Sequence, residues 1–314
     1  MGNHPRIEDK DVASFITTRT RNSELWFINN PKLEQEILAY AAKYSTSRNV
    51  KLYALALEGT HKHEAAEFPD ENRADFMRDF NSAVAKAVPR FCPDYLGGSL
   101  FERRYSQEIL PAADDIEARF FYTVLQPVND GLVSKISDYP GYNCFHDAIY
   151  GIERTFTMTK WKEFNAARKR KPSTPIYKYQ FQVTLKYDRI PGYESLSTKE
   201  YADMMMKKLE IHRLEVIRNR EARGLFGFVG REALVKIKPG TRAINPKKST
   251  RDSHRPRVLS VCPERYAYFL TWYFDIIDAY RVASEKYRNG DLSAIFPKGT
   301  YKPYCKFAQP PPTV

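Results

Sequence analysis

Hydrophobic positions in the first half of the chain alternate between a two-residue and a 3.6-residue period. Residues 12–18 (VASFITT) are few and β-branched, the pattern of a strand. Asn30 then stands where a helix cap belongs and Pro31 at a first-turn position. Leu33, Ile37, Leu38, Ala41 and Tyr44 recur at helical spacing behind them. Residues 50–57 (VKLYALAL) read as a second strand, and the Glu58-Gly59-Thr60 turn leads into a third that begins at His61, so a hairpin is the economical connection. Phe76, Phe80, Val84 and Ala87 line one face of a helix over residues 72–88, ended by Pro89. Residues 99–110 (SLFERRYSQEIL) predict a fourth strand. Asp114 and Asp115 open a further helix with negative charge where the macrodipole favours it, and Pro127 closes it. The order β-α-β-β-α-β-α predicts an α+β fold: a ferredoxin-like antiparallel sheet with helices on its faces.

The second half is more basic and richer in loops, which places a boundary near residue 155. The expected units are a domain over residues 1–155 and a basic C-terminal region or domain over residues 156–314. KWKEFNAARKRK, beginning at Lys160, is a helical run whose six basic residues suit either a linker or a face that tracks phosphates. Residues 177–187 alternate as a half-buried strand does, residues 200–223 and 265–287 read as long helices, and residues 236–257 are a basic loop segment.

Charge narrows the choice of partner. The 50 Lys and Arg against 38 Asp and Glu give a net charge of +12, enough to attract a polyanion, and the 21 Tyr and 19 Phe supply rings on which unpaired bases can stack. The four cysteines are scattered without a C-x-x-C pair, which argues against both a zinc ribbon and a disulfide framework. There is no apolar signal core and no apolar run of membrane-spanning length, so a cytoplasmic protein with no membrane partner is expected.

Two short patterns carry chemistry. In His61-Lys62-His63 the imidazoles sit at i and i+2 of a strand and so share a face, where both can reach one metal ion. Tyr122 and Gln126 are four apart on the helix after the fourth strand, which puts a phenol and a carboxamide on one helical face. Glu67 shares the strand face of His63 and is an alternative to Gln126 as third ligand.

These residues sit in strings that resemble the REP-associated tyrosine transposases, members of the single-tyrosine HUH transposases. VASFITTRTRN resembles that family's first strand and arginine-bearing turn, VKLYALALEGTHKHEAAEF its histidine-bearing strand pair, and RFFYTVLQPVNDGLVSKISDYPGY its nucleophile helix. FVGREALV and YRNGDLSAIFPKGTYK resemble the C-terminal portion of longer members. The resemblance implies an HUH endonuclease fold with Tyr122 as nucleophile and His61, His63 and Gln126 as ligands of Mg²⁺ or Mn²⁺. It implies cleavage of single-stranded, hairpin-containing DNA through a 5′-phosphotyrosine, followed by strand transfer. Two positions depart from the family pattern: Lys62 stands where an apolar residue is usual, read as a changed packing face, and Gln126 stands where Asn is frequent.

Arg19, Arg21, Arg103, Arg104, Lys247 and Lys248 are candidate DNA contacts, with Arg103 and Arg104 expected on the fourth strand beside Tyr105. A monomer or homodimer is expected. The alternatives are a domesticated relative that binds hairpin DNA without cutting it, and an RNA-binding protein.

Overall fold

The computed structural model describes residues 5–244 and 257–308. Its centre is a four-stranded antiparallel sheet of β1 (Ala13–Arg19), β2 (Lys51–Glu58), β3 (His61–Glu67) and β4 (Ser106–Leu110) in the order β2-β3-β1-β4. With α1 (Pro31–Ser47) and α2 (Arg73–Phe91) as connections, that order is the ferredoxin-like split βαβ arrangement. Asn30 caps α1 by accepting the Leu33 N–H at 3.1 Å, with Pro31 at the first position.

Register decides which side chains share a face. Thr17 pairs with His63 and Arg19 with His61, while Glu58 and Ala56 of β2 pair with His61 and His63. One face therefore carries Phe15, Thr17, Arg19, Glu58, His61 and His63; the other carries Ile16, Leu55, Leu57, Lys62 and Glu64. Helices α1 and α2 cover the second face, and α3 (Ala113–Val124) crosses the first. A mixed α+β fold, with a four-stranded antiparallel sheet flanked by helices, is what the alternating periods predict.

Beyond the sheet come α4 (Gln126–Asn129), α5 (Phe145–Tyr150), β5 (Arg154–Thr159), α6 (Trp161–Arg170), β6 (Gln180–Leu185), α7 (Thr198–Glu221), α8 (Arg231–Leu234) and α9 (Pro263–Arg288). β5 and β6 form a separate two-stranded ribbon that packs against α1. Leu185, Tyr187, Tyr201, Ala202 and Met205 join the same apolar core as the sheet, whereas Tyr273 and Ile277 of α9 build a second cluster with Ile7, Val12 and Ile109.

Several local expectations change. Helix α2 runs through Pro89 to Phe91 instead of ending there. The fourth strand starts at Ser106; Phe101 makes only a single bridge to Thr20, so Arg103 and Arg104 lie in an exposed bend and Tyr105 precedes the strand. Pro127 does not close the Tyr122 helix but opens the next one, because α3 stops at Val124 and the chain turns at Leu125. Lys62 keeps to the packing face turned from the histidines, where it is fully buried and ion-paired to Glu64 with its ammonium 4.2 Å from the centre of the Phe80 ring. Residues 245–256, with Lys247 and Lys248, lie outside the described residues. Among the described residues no helix is long and apolar enough to cross a membrane.

Candidate active site

The hairpin joining β2 to β3 holds the histidines in place. Its two-residue turn is pinned by the Thr20 N–H donating to the Thr60 carbonyl at 2.8 Å and the Phe27 N–H to the Gly59 carbonyl at 3.1 Å. A Cβ on Gly59 would come within 2.3 Å of the Leu25 side chain, so the turn packs too closely for any larger residue without a shift. The ring nitrogens nearer the backbone are each taken by a hydroxyl: His61 Nδ1 lies 2.9 Å from Thr60 Oγ1 and His63 Nδ1 lies 2.9 Å from Thr17 Oγ1. When Nδ1 donates to the threonine oxygen, Nε2 keeps its lone pair and faces the site.

The imidazole centroids are 4.6 Å apart, near perpendicular. Phe15 stacks on His63 at 5.2 Å and 12°. Burial, followed by the His61 and Arg19 charges, holds the His63 pKa well below the usual value, so the ring is kept neutral, the form able to ligate.

From α3, Tyr122 meets this surface. Its ring centroid is 5.9 Å from that of His63 and 5.6 Å from that of Phe15, edge to face in both cases, and 40% of the residue remains exposed. One turn earlier, Arg119 places its guanidinium carbon 5.0 Å from the Tyr122 centroid and 5.8 Å from that of Phe15. Burial raises the phenol pKa above its usual value; Arg119 opposes the rise, and Asp130, Glu108 and Glu58 add to it.

The break at Leu125 does not carry Gln126 away. It is buried, donates Nε2–H to Asp130 Oδ1 at 3.2 Å, and leaves its Oε1 buried without a hydrogen-bond partner. His63 Nε2 is likewise a buried atom without a partner. Two such atoms beside a carboxylate–imidazole cluster suit a cation. Glu58, His61 and Asp130 supply that cluster, with one ligand atom each within 4.8 Å of the others, and Glu58 Oε2 is 3.6 Å from His61 Nε2. Carboxylate, amide and imidazole donors suit a hard or borderline divalent ion.

Asp130 is positioned from the far end of the chain. Arg220 of α7 is buried and donates to the Asn129 carbonyl at 2.9 Å and to the Gly227 carbonyl at 3.1 Å, bracing the end of α4. Gly131, at φ +76°, lies so close that a Cβ would be 2.5 Å from that guanidinium.

Thus His61 and His63 share one sheet face with Arg19 beside them at the end of β1, Tyr122 packs over that face from α3, and Gln126 is tied to it through Asp130. Glu67 stays at the other end of β3, 3.2 Å from Lys51 Nζ. Arg21, Arg103 and Arg104 are exposed. Tyr105 is buried beneath the Arg6 guanidinium, 3.8 Å from its ring centre. Sequence reasoning missed Glu58 and Asp130. In a two-residue hairpin the residues flanking the turn face each other, so the Glu58–His61 pair was implicit in the turn assignment. Asp130 is one helical turn after Gln126, the same spacing that singled out Gln126 after Tyr122.

No family model matches the chain, and no curated protein matches it. Solved structures give partial likenesses. A REP-associated tyrosine transposase bound to a REP hairpin is 20% identical, with 46% of this chain and 84% of that one covered at a TM-score of 0.39. A candidate transposase from Deinococcus radiodurans is 14% identical, covering 39% and 94% at 0.27. The tRNA(His) guanylyltransferase of Saccharomyces cerevisiae is 11% identical, covering 62% and 97% at 0.33.

Proposed function

We propose that this chain is a metal-dependent DNA nuclease and strand transferase of the HUH single-tyrosine type, cutting single-stranded DNA that carries a hairpin. The observation that carries this reading is the Tyr122 phenol on a partly exposed ring beside His63, whose Nε2 and the neighbouring Gln126 Oε1 are buried without partners. The sequence resemblance to REP-associated tyrosine transposases points the same way.

In this reading Tyr122 Oη attacks the scissile phosphorus. A P–O bond forms to the tyrosine, the bond to the 3′-oxygen breaks, and that oxygen leaves as a 3′-hydroxyl after taking up a proton. The 5′-phosphotyrosine conserves the phosphodiester, so a second 3′-hydroxyl can reverse the step and join strands. His61 and His63, with Gln126, Glu58 and Asp130 as oxygen donors, would hold Mg²⁺ or Mn²⁺. Such an ion neutralises the scissile phosphate and helps the phenol lose its proton. Thr17 and Thr60 orient the imidazoles, Phe15 keeps water from one side of His63, and Arg119 sets a positive charge beside the nucleophile. Arg19, Arg21, Arg103 and Arg104 are then contacts for the strand on either side of the cut.

The test is a DNA complex that resists denaturation. Purified protein, Mn²⁺ and a pool of end-labelled hairpin oligonucleotides should give a shifted band in a denaturing gel, absent with chelator. Tight hairpin binding with no such band under any metal condition would favour a non-cleaving binder.

A further inference from the structure

We infer that the β5–β6 ribbon and α6 form a second nucleic-acid contact, an arm that grips an unpaired DNA strand by its phosphates and stacks its bases, on the side of the sheet away from Tyr122. Two faces of the ribbon differ in chemistry. Phe156 and Val183 turn towards the core and the ribbon packs on α1, which covers the sheet face opposite the histidines. Thr155, Thr157, Gln180 and Gln182 turn outward and are exposed, a row of uncharged hydrogen-bonding groups.

The arm's tip is strongly basic and firmly built. Phe164 is buried, 5.8 Å from the Tyr179 ring and 6.0 Å from Trp161, and the Lys160 N–H donates to the Tyr179 carbonyl at 2.9 Å, so α6 is fixed to the ribbon. Lys162, Arg168, Lys169, Arg170, Lys171 and Lys178 are exposed around it. Glu163 is the single acid on α6, and it lies 3.8 Å from Lys160 at the opposite end from the Arg168–Lys171 run. An anchored helix whose Arg168–Lys171 run has no acidic partner among the described residues costs self-repulsion, which a phosphate backbone relieves.

Aromatic rings choose among polyanions. Trp161 is 50% exposed and Tyr177 67% exposed, both within the segments that meet at the tip. Exposed rings among cations are the surface on which unpaired bases stack, while duplex DNA hides its base faces. A membrane surface would also attract the charge and bury the exposed rings, but the outward row of Thr and Gln beside them presents hydrogen-bonding groups, which suit a nucleic acid better than lipid tails.

The experiment uses the full chain in chelator, so that cleavage plays no part. Oligo(dT) titrated into the protein should quench Trp161 emission, and Trp161→Phe should lose that quench. The variant Arg168→Gln, Lys169→Gln, Arg170→Gln, Lys171→Gln, altered only at exposed positions, should weaken oligo(dT) binding at least about tenfold. It should also flatten the slope of log affinity against log salt by up to about 3. A wild-type slope and affinity in that variant would overturn the arm, as would duplex DNA of equal length or anionic vesicles outcompeting oligo(dT) for it. The outcome is separable from the Tyr122 reading: an adduct that still forms while the slope is unchanged defeats only the arm, and a quench that persists without any adduct defeats only the chemistry.

Discussion

The Tyr122 ring stands edge-on to the His63 imidazole, with centroids 5.9 Å apart and the planes at 80°. One residue comes from the helix after β4 and the other from the strand after the hairpin, and Phe15 of β1 touches both. A partly exposed phenol and an imidazole are thus held by three separate elements of one sheet domain, which makes their proximity a property of the fold and not of a mobile loop.

If the donors around His61 hold a divalent ion, the ion should stabilise the protein. Mn²⁺ at about a hundred times its Kd should add roughly 2.7 kcal/mol, seen as a rise in thermal midpoint. Asp130→Asn and His61→Ala should abolish the rise, while Gln126→Ala should reduce it less, since water can replace one neutral ligand. An unchanged rise in Asp130→Asn would remove Asp130 from the ligand set.

The Lys62–Glu64 pair is sealed between the sheet and α2, at 0% and 1% side-chain exposure. Burial lowers the lysine pKa and raises that of the glutamate, and each charge is the other's chief compensation. Lys62→Met should therefore cost about 3–5 kcal/mol by leaving Glu64 alone. Lys62→Met with Glu64→Leu should recover most of that loss. Chemical denaturation of the two variants measures the difference, and equal destabilisation would mean that the pair's packing, not its charge, matters.

Burial raises the Tyr122 pKa, so in neutral solution the phenolate is scarce, and Arg119 is the nearby charge that favours it. Covalent reaction should accelerate with pH across the neutral and mildly alkaline range, close to tenfold per unit while phenol predominates. Arg119→Gln removes the cation and should slow the reaction at each pH by roughly tenfold, with DNA affinity little changed; Arg119→Lys should restore part of the rate. A pH-independent rate would place proton removal elsewhere.

Periodicity revealed most of the sheet domain because its strands and helices are each amphipathic towards one core. Asn30-Pro31 started α1 as a cap and first-turn proline should. The pattern failed where residues serve tertiary contacts. In the 99–105 stretch the chain looks strand-like, yet only Phe101 bridges a neighbour, which leaves Arg103 and Arg104 in a bend. Strand alternation put Lys62 on the packing face turned away from the histidines, but its burial against Phe80 needed the placement of α2. β5 was overlooked although Arg154–Thr159 (RTFTMT) alternates polar and apolar residues, because the run is short and its partner β6 follows only after α6. Spacing put the two histidines on one strand face and Tyr122 with Gln126 on one helical face, and only the family resemblance gave them roles; Glu58 and Asp130 needed the hairpin register and the short helix after Leu125.

Whether Tyr122 itself becomes joined to DNA is read directly from a denaturing gel of wild type and Tyr122→Phe incubated with labelled hairpin oligonucleotides and Mn²⁺. The phenylalanine keeps the ring that packs on Phe15 and His63, so the variant should fold and bind DNA as before. Wild type should yield a covalent adduct whose labelled peptide, after proteolysis, contains Tyr122, and Tyr122→Phe should yield none. An adduct of undiminished intensity in Tyr122→Phe would contradict the account and move the nucleophile to another residue.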